Sequence, residues 1–87
     1  MDELDRINRL LEKPEYKKAV ALTDELSIAA KKTNSKEKLL LLKKRANISF
    51  SELRNGDSEV YSAVTCRINR FYEIVHEKLT GNKIVLD

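Results

Sequence analysis

Apolar residues recur every three or four positions along most of the chain, and polar residues fill the positions between them. This spacing is typical of amphipathic α-helices, in which one side of each helix faces a core. It predicts four helices, over residues 2–13, 14–32, 36–55 and 59–80. The first of these helices is short.

Residues that commonly start or stop helices lie at the predicted boundaries. Pro14 disfavours helical geometry at the preceding residue but suits the first position of a helix, so one helix ends and the next begins there. The Ser35 hydroxyl is suited to cap the third helix. Gly56 and Gly81 can take the left-handed conformation that ends many helices, and Asp57 or Ser58 can cap the helix that follows Gly56.

The third predicted helix carries apolar residues on two sides. Its main stripe consists of Leu39, Leu42, Ala46, Phe50 and Leu53. Leu41 and Ile48 fall on nearly the opposite side, and Leu40 lies between the two. Ile28 likewise points away from the apolar face of the second helix. Because a helix of a small monomer needs only one apolar face, the second face predicts contact with another molecule.

These patterns predict an all-α protein: a small antiparallel bundle of four helices, in a single domain over residues 1–87. The alternative is a pair of helical hairpins with a short N-terminal helix. After the last helix, Ile84, Val85 and Leu86 form an apolar run that predicts a short extended tail, packed on the core or on a partner.

Composition narrows the classes of function. The 87 residues are 41% hydrophobic and 36% charged with two Gly and one Pro, which argues against disorder and against a turn-rich β-sandwich. One Cys excludes an internal disulfide, and no apolar run approaches the about 20 residues of a transmembrane helix, so we expect a cytoplasmic protein. The formal charge is +3, and residues 34–57 carry the whole excess.

The sequence offers little catalytic or metal-binding chemistry. His76 and Cys66 are the only residues of their types, and ten helical positions separate them by about 15 Å. We therefore expect no metal site, no cofactor and no enzymatic activity. The segment from Arg70 to His76 resembles the Arg-x4–6-His pattern of helical HEPN-type ribonucleases. That resemblance implies an RNA-cleaving alternative, in which the Arg stabilises charge and the His transfers a proton.

We expect a small regulatory or adaptor protein that binds other proteins through its helix faces, as a homodimer or in complex with a larger protein, and no small-molecule substrate. The predicted contacts are Leu40, Leu41 and Ile48, with Lys44 and Arg45 as a basic rim and Ile28, Ile84, Val85 and Leu86 as secondary contacts. The alternative is a basic helical protein that binds nucleic acid through Lys43, Lys44 and Arg45.

Overall fold

The structure, a computed structural model, describes residues 2–81. Within that range the chain forms five α-helices and no β-strand, which confirms the all-α class. The helices are α1 (Glu3–Glu12), α2 (Pro14–Lys32), α3 (Lys36–Gly56), α4 (Ser58–Ala63) and α5 (Thr65–Thr80). The predicted apolar tail, with Ile84, Val85 and Leu86, lies outside the described residues.

The fourth predicted helix is two helices, because the chain bends at Val64. That residue has φ −104° and ψ 9°, and its N–H donates both to the Val60 carbonyl at 3.1 Å and to the Tyr61 carbonyl at 3.2 Å. The Thr65 hydroxyl also donates to the Tyr61 carbonyl, at 2.9 Å. A hydroxyl that bonds back to the carbonyl four residues earlier often bends a helix. The prediction of one continuous helix is therefore wrong at this point.

Helix ends follow the capping residues with one exception. The Ser35 hydroxyl accepts a hydrogen bond from the Lys38 N–H at 3.3 Å, and Gly81 takes the left-handed conformation with φ 76°. Among residues 2–81 only Gly81 has a positive φ, so the left-handed conformation predicted for Gly56 is wrong. Asp57 alone separates α3 from α4, and its carboxylate accepts from the Val60 N–H at 3.2 Å.

The three long helices α2, α3 and α5 pack against one another. Contacts between α2 and α5 join residues whose sequence numbers increase together: Asp24 contacts Arg67, and Lys31 contacts Lys78. These two helices therefore run in the same direction. Helices α2 and α3 run in opposite directions. Ala29, near the end of α2, shares a groove with residues near the start of α3, whereas Leu22, earlier in α2, shares one with residues near the end of α3. The four-helix antiparallel arrangement predicted from the sequence is not confirmed.

The buried residues form one apolar cluster between these helices. Phe71 lies at its centre and makes edge-to-face contacts with Phe50, at 6.5 Å between ring centroids, and with Tyr72, at 5.3 Å. Thr23 is the one buried polar residue of the described chain, and its hydroxyl donates to the Val20 carbonyl at 2.8 Å. The cluster consists of Ala19, Leu26, Ala30, Leu39, Ala46, Phe50, Val60, Val64, Ile68, Phe71, Ile74 and Val75.

Helix α1 stands apart from this core. None of its ten residues is buried, and only Leu10 is half-buried against the cluster. Ion pairs link it to the residues around the start of α4: Arg6 contacts Glu59 at 3.5 Å, and Lys13, the residue after the helix, contacts both Asp57 and Glu59 at 3.5 Å. Desolvation lowers the pKa of Lys13, but these two carboxylates and their hydrogen bonds outweigh it, so the pKa is raised. A helix of the predicted bundle would bury its apolar stripe, and α1 leaves it open.

Candidate protein-binding surface

Within residues 2–81, the apolar residues predicted to contact a partner are all exposed. The exposed fraction is 60% for Leu41, 54% for Ile48, 51% for Ile28 and 49% for Leu40. Each lies within a regular helix, so its exposure follows from the direction of the helix face and not from a loop.

The geometry of α3 explains which of these residues lie together. Leu39, Ala46 and Phe50 face the core. Because a helix turns by about 100° per residue, Leu41 and Ile48, seven residues apart, lie nearly in line on the opposite side, two turns or about 10 Å apart. Lys44 lies between them, and we call Leu41, Lys44 and Ile48 the outer face of α3. Leu40 lies about 100° around the helix from Leu41, so it belongs to a different side.

A groove of about 500 Å³ adjoins the outer face, between the end of α2 and the start of α3. Its apolar surface comes from Ala29, Leu41 and Leu42. The small side chain of Ala29 leaves room there. The basic residues Lys32, Lys38 and Arg45 line the groove together with Thr33, and no described carboxylate is part of the lining. We call this the α2–α3 groove.

Arg45 is the one groove cation with a described ion pair. Its guanidinium contacts the Glu25 carboxylate across the two helices at 3.3 Å, and both side chains are more than half exposed. An exposed pair of this kind is screened by water and salt and contributes little to stability. The groove therefore keeps a net positive lining, from Lys32 and Lys38.

The three consecutive basic residues of α3 do not form one patch. Lys43, Lys44 and Arg45 are all exposed, but successive positions point about 100° apart, so the three side chains leave the helix in three directions. Lys44 belongs to the outer face and Arg45 to the groove, whereas Lys43 points toward the side that carries Phe50 and α5.

The candidate catalytic residues are not gathered into a site. Arg70 is exposed and pairs with Glu73 at 3.6 Å, whereas His76 is half-buried and lies about 120° further around α5. Cys66 is exposed and reduced. Within residues 2–81 no group of three or more His, Cys, Asp or Glu side chains could hold a metal ion.

Sequence reasoning missed the groove and the open side of α1. The groove joins residues twelve positions apart, Ala29 and Leu41, across a turn, and only the packing of α2 on α3 brings them together. On α1, Leu4, Ile7 and Leu11 are 64%, 45% and 44% exposed. Their spacing marks them as one stripe, but spacing alone does not tell whether a stripe is covered.

Comparison with known proteins adds no relative: no family model matches the chain, and neither the curated proteins nor the solved structures contain a match. No helix in the described range is long and apolar enough to cross a membrane. The interpretation of this surface therefore rests on its geometry and charge.

Proposed function

We propose that this chain is a non-enzymatic regulatory or adaptor protein that binds proteins, including itself, through the outer face of α3. The observation that carries the proposal is the exposure of Leu41 and Ile48, opposite the core on a helix that is already packed on its other side. Full burial of such a side chain is worth about 1.5–3 kcal/mol, so covering two that are about half exposed favours association.

The charges of the surface support a specific contact. Lys44 lies between the two apolar residues, and the adjoining groove is lined by Lys32 and Lys38. Basic residues around an apolar centre favour a partner with acidic side chains and exclude one with basic side chains. The cytoplasm is the expected compartment, because a single exposed thiol, Cys66, forms no internal disulfide.

The proposal is tested by the oligomeric state of matched variants. We expect the wild-type protein to associate with rising concentration in sedimentation equilibrium, and the double variant Leu41→Glu with Ile48→Glu to remain a monomer. Leu40→Glu is the control, because Leu40 is exposed to a similar degree on another side of the same helix. Association of the double variant at wild-type strength, or equal loss in the control, would contradict the proposed face.

Nucleic-acid binding is the second candidate, favoured by the six basic against three acidic side chains of residues 34–57. Phosphate contacts weaken steeply with salt, whereas an apolar protein contact does not. Fluorescence anisotropy with a labelled oligonucleotide at low and moderate salt separates the two. Salt-sensitive binding that is lost in Lys43→Glu with Lys44→Glu would favour this candidate over protein binding.

A further inference from the structure

Two of the open apolar surfaces in the described part of the chain lie at opposite ends of α2. The first is the stripe of Leu4, Ile7 and Leu11 on α1, and the second is the α2–α3 groove. The α1 stripe is formed by a regular helix of ten residues, which is the shape of segment that enters a groove between two helices.

The charges beside the two surfaces are opposite. Acidic residues occupy the start of α1: Glu3 lies about 40° around the helix from Ile7, at the edge of the stripe, and Asp5 lies further round. The arginines of α1, Arg6 and Arg9, leave the helix on the side away from the stripe. The groove presents Lys32 and Lys38 beside its apolar surface. An α1 helix seated in the groove would bring carboxylates to these ammonium groups while its leucine and isoleucine side chains cover the apolar part.

The two surfaces of one chain cannot meet each other. Helix α1 joins the start of α2 and is fixed there by the pairs of Arg6 and Lys13 with Glu59. Ala29 in the groove is fifteen positions beyond Pro14, or about 22 Å along α2. A helix of ten residues held at the first end does not reach the second, so any α1 in the groove comes from another molecule.

We propose that the α2–α3 groove binds helix α1 of a second copy of this chain. The inference rests on the proposed function, because the groove shares Leu41 with the outer face of α3, and it names the partner of that part of the surface. Each copy carries one groove and one α1, so two copies that exchange α1 reciprocally form a closed dimer, and copies that do not close in this way continue into a larger ring or a chain of molecules. A symmetric contact between two outer faces would also stop at two copies, but it would place Lys44 of both copies close together.

The test uses two variants that each block one surface. Leu41→Glu places a carboxylate in the groove, and Leu4→Glu places one on the α1 stripe; both leucines are mostly exposed, so far-UV circular dichroism and the urea midpoint should stay unchanged. In sedimentation velocity we expect the wild type to associate as concentration rises, and each variant alone to remain a monomer.

Mixing the two variants gives the decisive result. The Leu41→Glu protein still offers α1 and the Leu4→Glu protein still offers a groove, so an equimolar mixture should form a dimer of twice the 10.0 kDa protomer mass and nothing larger. A mixture that stays monomeric overturns the inference. The inference is also overturned if the Leu4→Glu protein associates like the wild type. If Leu41→Glu nevertheless loses association in that case, the proposed function still holds. If the Leu41→Glu protein associated as strongly as the wild type, the result would count against the proposed function. A wild-type protein that stays monomeric would overturn both the inference and the proposed function.

Charge reversal provides a second test in case Leu4→Glu disturbs α1. Glu3→Lys with Asp5→Lys, and separately Lys32→Glu with Lys38→Glu, should each weaken association at least tenfold. A mixture of the two should recover association of wild-type strength, because each α1 then meets a groove of opposite charge on the other variant. If each charge-reversed protein associated with itself as strongly as the wild type does, the pairing of these charges would be refuted.

Discussion

Replacement of Lys78 by Met should destabilise the fold although Lys78 lies far from the centre of the core. The Lys78 ammonium donates to the Lys31 carbonyl at 2.6 Å and to the Thr33 carbonyl at 2.7 Å. Helix α2 ends at Lys32 without a left-handed glycine, since Thr33 has φ −105° and ψ 145°. The last carbonyls of a helix have no partner within it, so a side chain of α5 satisfies the end of α2.

The magnitude follows from the surroundings of the two bonds. A hydrogen bond to a charged group contributes about 1.5–3 kcal/mol when it is well shielded, and much less when water can replace it. The bond to Lys31 is exposed and that to Thr33 is partly buried, so we assign about 0.5 and about 1 kcal/mol. The positive charge at the negative end of α2 adds about 0.3–1 kcal/mol. We expect Lys78→Met to lower the free energy of unfolding by about 2 kcal/mol.

Urea denaturation followed by circular dichroism measures this change. For a domain of this size the free energy falls by about 1 kcal/mol per M urea, so the midpoint should fall by about 2 M. Lys17→Met, at an exposed position of α2, is the control and should change the midpoint little. If Lys78→Met shifted the midpoint no more than Lys17→Met, the ammonium would not cap α2 and the reasoning would be refuted.

Three further predictions concern the core and the ion pairs. Phe71→Ala should lower the free energy of unfolding by about 3–5 kcal/mol in urea titrations, with Phe71→Leu costing far less. Burial, and secondarily Tyr61, raises the pKa of Tyr72, so its ultraviolet ionisation should occur above the ordinary tyrosine range, and its contribution to stability should fall as pH rises above about 10. The raised pKa of Lys13 means that Lys13→Met should destabilise at neutral pH, and this difference should vanish as pH rises through the lysine range; persistence at high pH would contradict the pairing with Asp57 and Glu59.

The features that could be predicted are those set by neighbouring residues. The boundaries of α2 follow from Pro14, the start of α3 from Ser35 and the end of α5 from Gly81, because each cap acts within one turn. The two apolar sides of α3 follow from spacing alone, because a helix rotates successive residues by a fixed angle and so points Leu39 and Leu41 in different directions.

The features that could not be predicted depend on distant contacts or on competing local bonds. Lys78 and Lys31 are 47 positions apart, and no periodic pattern relates them. The bend at Val64 arises because the Thr65 hydroxyl bonds to a carbonyl of the preceding turn, an option that threonine has in every helix and uses in some. Whether α1 packs into the core depends on the space that remains beside Phe50 and Phe71. Only the packing of the whole molecule determines that space.

The two apolar sides of α3 cannot both face the core of one protomer. Leu41 and Ile48 lie nearly opposite Leu39, Ala46 and Phe50, so any rotation that turned the first group inward would turn the second group outward. The second group includes a phenylalanine in contact with two other rings, and its exposure would cost more than the burial of Leu41 and Ile48 would recover. No rotation of α3 therefore hides both of its sides, and covering the outer face while the core stays intact requires a group from outside this helix, which in the proposed function is a second molecule.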